Sequence, residues 1–236
     1  MLELHMIDTH AHLETIVPSD LGDLKYIILA GSERSDSIKN LELAKEDKRI
    51  IAAVGIHPQS PFEDISDLAK DARAIGECGL DYSRGIDESQ IELFRTQIEL
   101  AQKYKLPLII HARKAVDEVI KILKDYKDIR GVFHCYAGGK KRIKNVLELG
   151  ENWYFGIDGN LTYEIGLEEV VMNISKDRLI LETDCPWLTP IPHRGETNKP
   201  IYVEYVYEKV AQMWKMDFKE VEKIIDGNAK KLFGLM

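Results

Sequence analysis

Short, apolar, β-branched segments alternate with longer segments of helical period along the whole 236-residue chain. The strand-like segments are Met6–Thr9, Tyr26–Ala30, Ile50–Val54, Ala74–Cys78, Leu108–His111, Gly131–His134, Trp153–Ile157 and Leu179–Thr183. Between them, Asp87–Tyr104 sets Ile91, Phe94, Ile98 and Ala101 on one helical face, and Lys114–Tyr126 does the same with Val116, Val119, Ile120 and Leu123. Lys140–Leu149 and Tyr163–Ser175 repeat the pattern more weakly. The tail from Pro200 to Leu235 reads as one or two closing helices, with Pro200 suited to a helix start.

Such alternation predicts parallel strands joined by right-handed crossovers. Eight units arrange most simply as a closed (β/α)8 barrel of the TIM type, expected as one domain over residues 1–236. A doubly wound open sheet shares the same alternation. The length suits a barrel, which uses about 200 to 250 residues. No repeat, Ser/Gly linker or low-complexity stretch divides the chain.

A hydrophobic share of 44% and a charged share of 31% are those of an ordinary globular protein. No apolar run approaches the roughly 18 residues of a membrane span. The segment Met1–His5 lacks the basic region and apolar core of a secretory signal, so a cytoplasmic location is expected. The net charge of -8 argues against a broad basic surface for nucleic acid. It leaves room for a small phosphate pocket whose positive charge comes from bound ions. Three cysteines without a CxxC pair suit a reducing compartment.

The polar residues at the strand ends change the picture. Strand one ends in Asp8-Thr9-His10-Ala11-His12, strand three in Gly55-Ile56-His57-Pro58, and strand four in Gly76-Glu77-Cys78-Gly79-Leu80-Asp81-Tyr82. Strand five ends in His111-Ala112-Arg113, strand six in His134-Cys135-Tyr136, and strand eight in Glu182-Thr183-Asp184-Cys185-Pro186. Barrel enzymes carry their catalytic groups on this C-terminal face. Five of the seven histidines fall there.

His10 and His12 form an HxH pair whose imidazoles lie on one side of an extended segment and can reach one ion. Glu77 faces the barrel axis, where an unpaired carboxylate is too costly to retain. A salt bridge would satisfy it, but its candidate neighbours are histidines, which favours metal ligation, and its two oxygens can bridge two ions. His111 and His134 end consecutive strands and should be rim neighbours; each alone could be a satisfied core histidine. Asp184 ends the last strand, which in a closed barrel lies beside His10 and His12.

These segments together resemble the TatD family of metal-dependent deoxyribonucleases, within the amidohydrolase-like barrel superfamily. The resemblance rests on DTHAHL (Asp8–Leu13), VGIHP (Val54–Pro58), IGECGLDY (Ile75–Tyr82), IIHAR (Ile109–Arg113), FHCY (Phe133–Tyr136), ETDCPWL (Glu182–Leu188) and NAKKLFGL (Asn228–Leu235), in the family's order. It implies one metal on His10, His12, Glu77 and Asp184, and a second on Glu77, His111 and His134. It also places His57 and Arg113 along the same cleft, with Arg194 and Asn198 in a substrate-side loop. Cys78, Cys185 and Trp187 stand where other residues are common in the family.

On their own residues, Arg113 reads as a solvated side chain or a phosphate contact, and His57 as a brace for the turn at Pro58 or a contact to substrate or water. His5 and His193 carry no spacing argument. Cys78, Cys135 and Cys185 each follow a proposed ligand, so alternation should turn them outward into the helix layer as buried spectator thiols.

The expected reaction is hydrolysis by a water activated between two divalent ions, with Asp184 as proton acceptor and DNA as the substrate the resemblance implies. An amidohydrolase or lactonase acting on a small molecule is the alternative. Many such relatives bridge their metals with a carboxylated lysine at strand four, where this chain has Glu77. A non-catalytic metal protein fits less well, because structural zinc sites are closed and Cys-rich. Histidine ligands suit zinc, manganese or nickel, and magnesium is compatible with a phosphate substrate. No membrane contact and no obligate protein partner are expected.

Overall fold

Eight parallel strands pair in strict sequence order: β1 (Ile7–Ala11), β2 (Tyr26–Leu29), β3 (Ile50–Val54), β4 (Ala74–Asp81), β5 (Leu108–Arg113), β6 (Gly131–Phe133), β7 (Trp153–Ile157) and β8 (Leu179–Leu181). The structure is a computed structural model and describes residues 6–12 and 21–236; His5 and Leu13 lie outside them. β8 returns to β1 through the segment that follows it. Asp184 N–H donates to His10 O at 2.9 Å, and His12 N–H to Cys185 O at 2.9 Å. The buried Asp8 carboxylate accepts from the Thr183 N–H (2.9 Å) and hydroxyl (2.6 Å). The architecture is the TIM-type barrel, not an open sheet.

Ile7, Ile28, Ala53, Ala74, Ile109, Val132, Tyr154 and Ile180, one from each strand, pack in one buried cluster with Ala229, Leu232 and Phe233 of the C-terminal helix. The barrel is thus a packed core closed at one end. A larger cluster joins the strands to the surrounding helices α2 (Ser89–Tyr104), α3 (Val116–Leu123), α4 (Lys140–Leu147), α5 (Leu167–Met172) and α6 (Val203–Trp214), with α7 (Phe218–Phe233) following. Phe94, Ile98 and Ala101 of α2 and Val116, Val119, Ile120 and Leu123 of α3 are buried along the expected faces. The tail forms two helices after a 3-10 turn at Pro200–Tyr202.

One helix, α1 (Arg34–Glu46), has no counterpart among the expected elements. Its buried residues are Ser37, Asn40 and Leu41, so no apolar stripe marks it. Asn40 donates to Leu29 O (3.3 Å) and Ala53 O (3.4 Å), and Ser37 exchanges bonds with the backbone of Gly55. The helix docks on β2 and β3 through hydrogen bonds instead. Between β3 and β4 the chain runs through a 3-10 turn, Ala69–Asp71, and no α-helix. No described helix is long and apolar enough to cross a membrane.

Candidate metal centre

Two β-bulges aim the first ligand candidates into the barrel mouth. On β1, Asp8 pairs with Ile27 and Ala11 with Leu29, so Thr9 and His10 together face Ile28. On β4, Ile75 pairs with Leu108 and Cys78 with Ile110, so Gly76 and Glu77 face Ile109. A bulge bends its strand and redirects the side chain it carries. The glycines of the Gly76-Glu77-Cys78-Gly79 run follow from this geometry. A Cβ on Gly76 (φ +151°) would stand 2.6 Å from Cβ of Ile109, and one on Gly79 (φ +140°) 2.0 Å from His111 O.

Glu77 sorts the four histidines into two pairs. Its Oε1 lies 2.5 Å from His111 Nδ1 and 2.9 Å from His134 Nε2. Its Oε2 lies 3.4 Å from His12 Nε2 and 3.7 Å from His10 Nε2. Within the pairs, His10 and His12 face each other through Nε2 at 3.0 Å, and His111 Nδ1 faces His134 Nε2 at 3.2 Å. Asp184 Oδ1 completes the first pair's side, 3.5 Å from His10 Nε2 and 3.4 Å from His12 Nε2. All six expected ligands converge. His134 and Asp184 sit just past β6 and β8, each of which ends before the expected position.

The donors have the chemistry of cation ligands. Burial drives His10 well below its ordinary pKa, which leaves a neutral imidazole. Burial opposes the charge on Glu77, but His134 and His111 hold it well below the usual carboxylate range. Burial also opposes charge on His111, and Glu77 and Asp81 outweigh it, raising its pKa to about 9. Neutral imidazoles and an ionised carboxylate brought this close together are the donors a divalent cation takes. His10 Nδ1 and His134 Nδ1 are buried without a hydrogen-bond partner among the described residues, His134 Nδ1 lying 3.8 Å from Glu182 Oε1.

His57 approaches from β3, with Nε2 3.7 Å from Glu77 Oε1. Its Nδ1 accepts the Gln59 N–H at 3.1 Å, so the neutral ring carries its proton on Nε2. Burial lowers its pKa to about 4. Arg113 is exposed and makes no ion pair among the described residues. Arg194 lies over the Tyr163 ring, 3.6 Å from its centroid. Asn198 is fully buried and braces the loop from inside, donating to Thr183 O (2.9 Å) and Trp187 O (2.5 Å). His193 stacks on Tyr202 and bonds Tyr205 and Glu196, a local framework.

A family profile described as TatD related DNase matches residues 7–234. The chain belongs to this family. The uncharacterized metal-dependent hydrolase YabD of Bacillus subtilis is 37% identical over 97% of this chain and 98% of its own length. The 3'-5' ssDNA/RNA exonuclease TatD of Erwinia amylovora is 32% identical over 89% of this chain and 88% of its own. Among solved structures, the TatD homologue YJJV of Escherichia coli K12 superposes with a TM-score of 0.88 over 100% of both chains at 24% identity, a likeness of fold. At this level the chain is a metal-dependent hydrolase of the TatD family.

Two features of this TatD-family site escape the sequence reading. Asp81, four residues after Glu77 and buried, points its Oδ2 at His111 Nε2, 3.2 Å away, while its Oδ1 accepts the Ser83 N–H at 2.8 Å. The motif contained it, but only the fold shows which histidine it backs. Cys135 also departs from expectation. Cys78 and Cys185 are buried in apolar clusters, whereas Cys135 lies with donor atoms of His134 and Glu182 in one close group. β6 has ended and Cys135 has φ 41°, so strand alternation no longer sets its direction. Burial, with Asp158, Asp184 and Glu182 nearby, pushes its thiol pKa well up.

Proposed function

We propose that the chain hydrolyses phosphodiester bonds of DNA, with two divalent ions sharing Glu77: one on His10, His12, Glu77 and Asp184, the other on Glu77, His111 and His134. The division of the histidines by the two Glu77 oxygens carries this reading. Two such ions would supply Lewis acidity and a nucleophilic water at neutral pH. The protein's own groups do the rest.

Asp184 would accept the proton of the attacking water; its partial exposure and its position beside both His10 and His12 support that role. His57 presents Nε2–H to the cleft and donates to an oxygen of the substrate. Arg113, unpaired with carboxylates among the described residues, would contact a phosphate. Asp81, accepting from His111 Nε2, would leave the Nδ1 lone pair of His111 free for an ion. A nucleic-acid substrate agrees with the exonuclease name of the Erwinia relative. Zinc, manganese and magnesium each suit part of this donor set.

The test is an assay of protein reconstituted with each metal, on single- and double-stranded DNA, with amide and lactone substrates as controls. Cleavage of DNA is expected. Turnover of an amide or lactone with DNA left intact would replace this reading by the small-molecule one.

A further inference from the structure

Trp187 stands at the mouth of the centre with 49% of its surface exposed. Its ring centroid lies 5.0 Å from that of His12, at an interplanar angle of 68°. Phe62 and Trp187 are the exposed large aromatics among the described residues, and Trp187 is the one in ring contact with the centre. Its backbone is clamped on both sides: Trp187 N–H donates to Asp184 O at 2.9 Å, and Asn198 Nδ2 donates to Trp187 O at 2.5 Å. The Trp187 backbone is therefore tied to the same short segment that carries Asp184, and its ring rests edge-to-face on His12.

Packing does not account for a large apolar ring left half-solvated on an anchored backbone; burial would stabilise it more. A fixed aromatic face with two side-chain torsions costs little entropy when a second flat ring lies on it. A chain of net charge -8 also has little long-range attraction for a polyanion, so affinity must come from contacts at the site. We infer that Trp187 is a stacking platform for a nucleobase of the strand whose phosphate lies at the metal centre. This rests on the nuclease reading above. Stacking accepts any base, and it needs a base free of its duplex neighbours.

The metal-loaded protein is titrated with deoxyadenosine 5'-monophosphate and, separately, with 2-deoxyribose 5-phosphate, which has the phosphate but no base. Tryptophan fluorescence, calorimetric affinity and metal content are measured. Trp153 is fully buried and Trp214 packs in the helix layer, so quenching reports on Trp187. The nucleotide should quench and the sugar phosphate should not. Trp187→Ala should weaken the nucleotide roughly 5- to 150-fold, the worth of one stacked base, and leave sugar-phosphate affinity and metal content unchanged. Trp187→Phe should retain most of the affinity and lose the quench.

Equal weakening of both ligands, or of neither, overturns the platform, as does failure of the wild type to bind the nucleotide. The nuclease reading is read out separately by cleavage of single-stranded DNA. Cleavage with unchanged KM in Trp187→Ala sinks the platform alone. Base-dependent binding without any cleavage by wild type sinks the nuclease reading alone.

Discussion

Asp81 Oδ2 and His111 Nε2 lie 3.2 Å apart, on the side of the ring opposite the 2.5 Å contact between His111 Nδ1 and Glu77. His10, His12 and His134 turn Nε2 inward, whereas His111 turns Nδ1 inward and sets its remote Nε2 against Asp81. Outer-sphere partners of this kind typically change metal affinity 10- to 100-fold. Asp81→Asn keeps an acceptor and loses the charge, so affinity should fall near the lower end; Asp81→Ala should reach the upper end. Metal titration followed by calorimetry measures both. Unchanged affinity in Asp81→Ala would reduce Asp81 to a support for the Ser83 turn.

The barrel and the convergence of six polar residues were legible because two independent periodicities agree. Apolar segments recur as strands, and histidines and acids recur at their ends. Asp184 was placed beside His10 by closure alone, and the backbone bonds between Asp184, Cys185, His10 and His12 realise it. What was not legible depends on backbone direction. The bulges at His10 and Glu77 are register shifts between strands, invisible in one strand's pattern. α1 was hidden because Ser37 and Asn40 replace the apolar stripe. Asp81 and Cys135 needed three-dimensional neighbours to reveal what they face.

The cysteines give a direct check on the ligand set. Cys78 and Cys185 are enclosed by apolar residues, and burial pushes both thiols up and away from the thiolate form that binds metal. Cys135 is the informative one, because it lies near His134 and Glu182. Replacing all three by Ala should leave metal stoichiometry unchanged and lower the melting temperature through lost packing. Loss of a metal equivalent, in this variant or in Cys135→Ser alone, would make a thiolate a ligand.

At the closed end of the barrel, Tyr207 Oη lies 2.8 Å from Asp226 Oδ1 and 3.2 Å from Ile7 O. Burial raises the Asp226 pKa from 3.8 to about 7, with Glu222 adding to the shift and Tyr207 and Lys230 opposing it. Between pH 4 and 7 the unfolded chain has lost a proton that the folded chain keeps. Stability from this group therefore falls as pH rises through that window and levels off above it. Asp226→Asn cannot titrate, so its stability relative to wild type should climb from pH 5 to 7 and then stay flat. Urea unfolding of both proteins across pH 5–8 measures the difference. A constant difference would show that Asp226 is already ionised at pH 5.

Glu77 and Asp184 should separate when each loses its charge. Glu77 is the acid that faces both histidine pairs, and Gln in its place keeps the shape while removing the charge that offsets repulsion between two divalent ions. At least one site should then stay unfilled even in excess metal, and activity should fall with it. Asp184 lies within 3.5 Å of the Nε2 atoms of His10 and His12. In Asp184→Asn the His10–His12 side still has His10, His12 and Glu77, so both ions should bind, the affected one more weakly. Turnover should nevertheless stay low at saturating metal, because the group that takes the water's proton is gone, a role typically worth about 10²–10⁴-fold. Metal content and cleavage of DNA are measured side by side for the two variants. Full activity in Asp184→Asn once metal saturates would make Asp184 a ligand only. The proton would then have to leave by another group, and His57 is poorly suited: its Nδ1 is occupied by Gln59 N–H and its Nε2 already bears hydrogen.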